Sequence, residues 1–133
     1  MPDARTGPRG RVVVIAEDDE PIAILLRDAI GDEPGYQAFV VSDGAMVLDA
    51  VRQERADLLI LDIMMPRLSG FEIFDQLHAE PASRTTPVLF ISAAVDHYES
   101  EFRARGITDI MAKPFDLNDL VERVHQLCRP PGD

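Results

Sequence analysis

Apolar and polar residues alternate in blocks along the chain, with short continuous apolar runs between longer amphipathic stretches. Continuous apolar runs of this length are typical of strands buried on both faces of a parallel sheet. The runs predict five strands, over residues 11–16, 36–41, 58–61, 87–91 and 108–112. Strands that alternate with helices predict an α/β domain of five βα units, with helices covering both faces of the sheet.

The amphipathic stretches predict the helices between these strands. They lie near residues 21–30, 45–54, 71–77, 95–105 and 117–128. The fourth stretch carries only Val95, Tyr98 and Phe102 at helical spacing, whereas the fifth has a continuous apolar stripe behind an N-capping Asp116. Cys128 lies on that stripe, so we expect it to pack in the core and not to act as a reactive thiol.

The composition fits one globular domain in a reducing compartment. The chain has 133 residues, of which 46% are hydrophobic and 28% charged. We predict tails at residues 1–10 and 130–133 around a domain at 11–129. No apolar run approaches the length that spans a bilayer, the start does not resemble a signal peptide, and the single cysteine excludes an internal disulfide. We therefore expect a cytoplasmic protein without membrane contact.

The charge balance argues against one class of partner. The sequence has 13 Lys and Arg residues and 24 Asp and Glu residues, which gives a net charge of -11. Such a domain repels phosphate backbones, so we expect no direct binding of nucleic acid. Solubility accounts for most of the acidic excess.

Acidic residues follow two of the predicted strands directly. Asp62 ends the run Leu58–Leu61, and Glu17 and Asp18 follow the first strand. In parallel sheets the carboxyl ends of the strands share one edge, where ligands bind. If the two strands are neighbours, three carboxylates converge there, which is costly unless a cation neutralises them. Such a set of oxygen ligands suits Mg²⁺. Capping of the next helix by Asp18 or Asp19 is the alternative role, and the four consecutive acids at 17–20 allow capping and metal binding to occur together.

Two further polar residues follow the fourth and fifth strands. Ser92 supplies a hydroxyl donor, and Lys113, directly before Pro114, supplies a cation. With Asp62 as nucleophile and a bound metal, they complete the groups needed for phosphoryl transfer to a carboxylate. Ordinary solvated strand ends are the alternative for both residues.

These segments together resemble the receiver domain of response regulators, the phosphoacceptor module of two-component systems. The resemblance covers about residues 11–129. It rests on the runs Val14–Pro21, Leu61–Pro66, Ser69–Gly70, Ile91–Ala93 and Lys113–Phe115, in the order and spacing of that family. It implies a flavodoxin-like, doubly wound sheet with strand order 2-1-3-4-5.

The resemblance also implies a role for each site residue. Asp62 would be the phosphorylated aspartate. Mg²⁺ would be bound by Asp18 and Asp62, by Glu17 largely through water, and by the backbone carbonyl of Met64. Ser92 would be the switch hydroxyl. Lys113 would pair with the phosphoryl group.

The implied phosphoryl donor is a sensor histidine kinase or a phosphotransfer protein. The downstream target or output domain is not named by the sequence. We expect a signalling domain that catalyses only its own phosphorylation and its slow dephosphorylation.

Two departures from the pattern of the family involve three positions. Ile110 stands where receivers often carry an aromatic residue that turns inward on activation. Met64 and Ala94 occupy positions whose side chains influence hydrolysis of the acyl phosphate. Neither side chain orients water through a strong hydrogen bond, which predicts slow self-dephosphorylation.

Two other functions are consistent with parts of the pattern. A Mg²⁺-dependent phosphohydrolase would carry a second acid two residues after its nucleophile, and Met64 at that position argues against it. A receiver used only for protein binding is disfavoured by the complete set of acids and lysine. Direct transcriptional activity would require a DNA-binding domain beyond these residues or in a partner.

Overall fold

The computed structural model describes residues 10–128, and its centre is a five-stranded parallel sheet in the order β2-β1-β3-β4-β5. Every pairing in the sheet is parallel. The strands are β1 (Arg11–Ala16), β2 (Tyr36–Val41), β3 (Leu58–Asp62), β4 (Val88–Ser92) and β5 (Ile110–Ala112). The predicted α/β class and strand order are confirmed.

Helices connect successive strands and cover both faces of the sheet. They are α1 (Glu20–Gly31), α2 (Val47–Gln53), α3 (Gly70–Ala79), α4 (Glu99–Ala104) and α5 (Leu117–Leu127). Helix α1 begins behind an Asp19 N-cap, α3 behind a Ser69 capping box with Glu72, and α5 behind Asp116. Residues with short polar side chains thus cap these helices and fix the positions at which they begin beside the sheet edge.

Strand β3 shows why its sequence is continuously apolar. All five of its residues are buried. Leu59 and Leu61 pack with residues of α2 and α3 on one face, and Leu58 and Ile60 pack with α1 and α5 on the other. Because the strand is central, neither face meets water, and its last residue, Asp62, is buried at the end of this apolar run.

The region between β4 and β5 corrects two predicted boundaries. The helix predicted at 95–105 is a single 3₁₀ turn, Asp96–Tyr98, followed by the short helix α4. The strand predicted from residue 108 begins at Ile110. Instead of lining one face of a long helix, the apolar residues of this segment join an aromatic cluster, in which Phe102 packs on Phe71 and Phe90. Side-chain packing therefore replaces regular helical burial here.

Three predictions concern features outside the sheet. Apart from Gly10, the predicted tails fall outside the described residues, so their prediction stays untested. Among the helices of residues 10–128, none combines the length and apolar character that a bilayer span requires. Cys128 is buried among apolar residues, as predicted.

Candidate functional site

Three carboxylates converge at the carboxyl edge of the sheet. Strands β1 and β3 are neighbours, with Ala16 opposite Leu61, so the residues that follow them lie side by side. One oxygen each of Glu17, Asp18 and Asp62 lies within 4.8 Å of the others. The predicted convergence is therefore present, and it comes directly from the pairing of the two strands.

Lys113 brings the matching positive charge to these acids. It follows β5, and its amide donates to the carbonyl of Ser92 at 2.8 Å. Its Nζ donates to Glu17 Oε1 at 2.7 Å and to Asp62 Oδ2 at 2.9 Å. One ammonium group thus serves two carboxylates, and the cluster keeps an excess of negative charge. The peptide bond between Lys113 and Pro114 is cis.

Burial sets the electrostatics of the cluster. Glu17 is 1% exposed, and burial raises the pKa of its carboxyl to about 7, reinforced by its hydrogen bond to Asp62. Lys113 and the Asp19 amide act in the opposite direction. Burial by itself lowers the pKa of Lys113, but its bonds to Glu17 and Asp62 outweigh burial and raise it. Burial therefore disfavours the charged form of Glu17, and the contact with Lys113 favours it.

The acids after β1 divide their roles between the cluster and the next helix. Asp19 Oδ1 accepts from the Ile22 amide at 3.3 Å and caps α1. The Asp19 amide in turn donates to Glu17 Oε2 at 3.2 Å. Glu17 and Asp18 belong to the carboxylate cluster. Capping and clustering thus occur together on different residues, as expected from the sequence.

The backbone of Met64 lies beside Asp62. The Met64 amide donates to Asp62 Oδ1 at 3.2 Å, so both carboxylate oxygens of Asp62 have a partner, Met64 on one and Lys113 on the other. The Met64 side chain is 70% exposed, whereas Met65 is buried. Met65 therefore packs in the core, whereas the side chain of Met64 faces solvent.

Ser92 is next to the acids but its hydroxyl is engaged in its own loop. Asp62 pairs with Ile91, which places Ser92 one residue beyond on the neighbouring strand. Ser92 is 2% exposed, and its Oγ accepts from the Ala94 amide at 3.0 Å. The Ser92 hydroxyl thus bonds within its own loop beside the cluster, while the Ser92 carbonyl accepts from the Lys113 amide.

The donor set of the cluster fits a hard divalent cation. Mg²⁺ prefers carboxylate and carbonyl oxygens and keeps several waters when one to three protein ligands are available. Glu17 and Asp62 offer buried carboxylates, and Asp18 offers an exposed one that reaches water. The residues present therefore suit the Mg²⁺ that the sequence predicts.

One feature of the site was missed by sequence reasoning. The loop between β3 and α3 contacts the loop between β2 and α2, where Arg67 Nε donates to Asp43 Oδ2 at 2.7 Å. Gly44 lies directly under the same loop, and its amide donates to the Pro66 carbonyl at 3.1 Å. The pair Asp43-Gly44 is a turn signal that would have marked this position as special, although not its partner.

Comparison with known proteins agrees with this geometry. A family model described as the response regulator receiver domain matches residues 13–125. The sensory transduction protein RegX3 of Mycobacterium tuberculosis is 32% identical over 126 residues, which cover 91% of this chain. Those residues cover 52% of RegX3, so the chain spans about half the length of this relative.

Solved structures share the fold. The receiver domain of Francisella response regulator 1452 matches with a TM-score of 0.78 and 29% identity, covering 90% of this chain and 97% of that one. The receiver domain of the Pseudomonas aeruginosa sensor histidine kinase PA1611, solved with magnesium in its active-site cleft, matches with a TM-score of 0.76 and 23% identity, covering 90% and 98%. The family model matches most of the chain, and the chain therefore belongs to the response regulator receiver domains.

Proposed function

We propose that Asp62 accepts a phosphoryl group from a histidine of a sensor kinase or phosphotransfer protein, with Mg²⁺ held by Glu17, Asp18, Asp62 and the Met64 carbonyl. The observation that carries the proposal is the joint position of Asp62 against two other carboxylates and the Lys113 ammonium. A carboxylate with a cation and a metal site beside it has what an in-line attack on phosphorus needs.

The transfer exchanges one bond for another. An oxygen of Asp62 forms a bond to phosphorus while the phosphorus–nitrogen bond of the donor histidine breaks and its electron pair stays on the imidazole. Lys113 Nζ donates to one Asp62 oxygen, and from this position it can pair with the phosphoryl oxygens. The chemistry that Mg²⁺ supplies when bound is neutralisation of charge on the transferred group.

The product of this reaction is the modified domain itself. A phosphoryl group adds negative charge and new acceptor oxygens beside Ser92 and Lys113. We infer that these two residues turn toward it, which biases a two-state surface around α4 and β5. The family is one of signalling domains. We also propose that the domain acts in the cytoplasm.

Removal of the metal provides the test of this function. Incubation with acetyl phosphate and Mg²⁺ is expected to add one phosphoryl group to the protein, measured by intact mass. Excess EDTA is expected to abolish the addition, because the crowded carboxylates would then repel the incoming phosphoryl group. Sustained release of phosphate at high turnover would instead support the hydrolase alternative.

Slow self-dephosphorylation follows from the residues around Asp62. Met64 and Ala94 lack a group that orients water strongly, so the phosphorylated protein is expected to persist for minutes or longer without a phosphatase. Met64→Gln supplies a side-chain amide and is expected to shorten the half-life several-fold. Met46→Gln is the matched control, since Met46 is also exposed but lies on the turn before α2. A wild-type half-life of seconds would contradict the prediction.

A further inference from the structure

We propose that Asp43 and Arg67 are positioning residues for the phosphoacceptor site. In this proposal their ion pair, together with Gly44, clamps the β3–α3 loop (residues 63–69) and so holds the Met64 backbone beside Asp62. The inference rests on the proposed function of Asp62, and it adds residues that neither contact the phosphoryl group nor bind the metal.

The tip of the β3–α3 loop has a backbone conformation that needs support. Arg67 has a φ of +74°, a value that a residue with a side chain rarely adopts. The amide of Leu68 donates to the carbonyl of Pro66 at 2.9 Å, which closes a three-residue turn around Arg67. A γ-turn with positive φ is rare and strained, so it persists only where neighbouring structure holds it.

Two hydrogen bonds from the β2–α2 loop supply that support. Asp43 Oδ2 accepts from Arg67 Nε at 2.7 Å, and Asp43 Oδ1 accepts from the Ala45 amide at 2.9 Å, which fixes the carboxylate. The Gly44 amide donates to the Pro66 carbonyl at 3.1 Å. A Cβ at Gly44 would lie 2.6 Å from the Leu68 carbonyl oxygen, so only glycine permits this approach.

The other end of the loop is closed with the same tightness. The Gly70 amide donates to the Ile63 carbonyl at 2.7 Å. A Cβ at Gly70 would meet the Asp62 carbonyl oxygen at 2.7 Å. Met64 lies between this fixed base and the clamped tip, and its amide bonds to Asp62 Oδ1. With the base fixed, release of the tip is the change that would move Met64.

An ordinary surface ion pair would behave differently. The Arg67 side chain is 71% exposed, and exposed pairs contribute little to stability. Loss of an ordinary pair would therefore leave both the fold and Met64 unchanged. Loss of a clamp would also leave the melting temperature nearly unchanged, but it would loosen the hydrogen bond from Met64 to Asp62.

The test uses Asp43→Asn, Arg67→Ala and the double variant. Asparagine keeps an oxygen for the Ala45 amide and loses the charge, while alanine keeps the cost of positive φ and loses the guanidinium. Arg103→Ala is the matched control, because Arg103 is 76% exposed and pairs with Glu99 on α4. Hydrogen exchange of the Met64 amide is measured without metal, and the Mg²⁺ concentration for half-maximal phosphorylation is measured with acetyl phosphate.

We expect both single variants to exchange the Met64 amide several-fold faster and to need about tenfold more Mg²⁺, as losses of supporting contacts around metal ligands do. The double variant should match the single variants, since both remove the same contact, and Arg103→Ala should match the wild type. Unchanged exchange of Met64, or additive effects in the double variant, would overturn the proposal. A wild type that takes up no phosphoryl group would count against the proposed function instead, while the exchange data still judge the clamp.

Discussion

Lys113→Ala is expected to slow phosphorylation of Asp62 by about a hundredfold or more, the size of effect seen when one group facing developing charge is removed. Lys113 is the only lysine of the sequence, and its Nζ is the cation that contacts both Glu17 and Asp62. Without it, negative charge on the incoming phosphoryl oxygens meets three carboxylates and no ammonium. The measurement is the initial rate of phosphoryl uptake from acetyl phosphate at saturating Mg²⁺.

Two further variants make this result specific to Lys113. Lys113→Arg keeps the charge on a differently shaped group and is expected to recover part of the rate. Arg123→Ala removes one positive charge from α5 and is expected to keep the wild-type rate. Arg123 pairs with Asp109, with 3.8 Å between Nη1 and Oδ1. A Lys113→Ala rate within a few-fold of the wild type would show that Lys113 only balances the charge of the resting protein.

Asp18→Asn is expected to change stability and metal affinity in opposite directions. In the absence of metal, Asp18 adds a like charge to Glu17 and Asp62, so its neutralisation is expected to stabilise the fold by up to about 1 kcal/mol. The same change removes a charged ligand, and Mg²⁺ affinity is expected to fall by at least about tenfold. Thermal unfolding without metal and a Mg²⁺ titration followed by NMR measure the two effects.

The neighbouring acid provides the control for Asp18. Asp19→Asn removes the same charge one residue later and keeps an oxygen to cap α1, so it is expected to leave Mg²⁺ affinity nearly unchanged. Equal losses of affinity in both variants would mean that net charge, and not ligation by Asp18, attracts the ion. A loss of stability in Asp18→Asn would contradict the crowding of the carboxylates.

The central strands and the acidic edge were predictable because the residue types at these positions follow directly from their burial and from their place at the strand ends. The run Leu58–Leu61 is apolar at every position, and the buried environment of β3 on both faces requires that pattern. Asp62 then follows at the strand end, and parallel pairing with β1 brings Glu17 to it. Once the strands were recognised from their apolar runs, parallel pairing alone predicted that the carboxylates at their ends lie together.

The segment from β4 to β5 was less predictable because its order comes from side chains distant in sequence. Phe102 and Tyr98 pack on Phe71 of α3, and Arg105 forms two hydrogen bonds with Asp75 while lying over the Phe71 ring. These contacts hold a helix of only six residues, for which helical periodicity gives little signal. Ile110, which replaces the aromatic residue frequent in the family, packs half-buried against this same cluster.

The contact between the β3–α3 loop and the β2–α2 loop was missed for a related reason. The conformation of the β3–α3 loop depends on a positive φ at Arg67 and on the close approach of Gly44. These two residues are 23 positions apart, and their residue types alone do not predict a contact. Motif spacing located the groups that carry charge at the sheet edge. It did not locate the groups that fix the backbone between them.

The most direct test of the account is to locate the phosphoryl group on the chain. After incubation with acetyl phosphate and Mg²⁺, borohydride reduces an acyl phosphate to an alcohol and so marks the modified aspartate permanently. Peptide mass spectrometry is predicted to find the reduced residue at position 62 in the wild type and nowhere in Asp62→Ala. Reduction at Asp18 or Glu17 in the wild type, or equal phosphoryl uptake by Asp62→Ala, would contradict the claim that Asp62 is the phosphoacceptor.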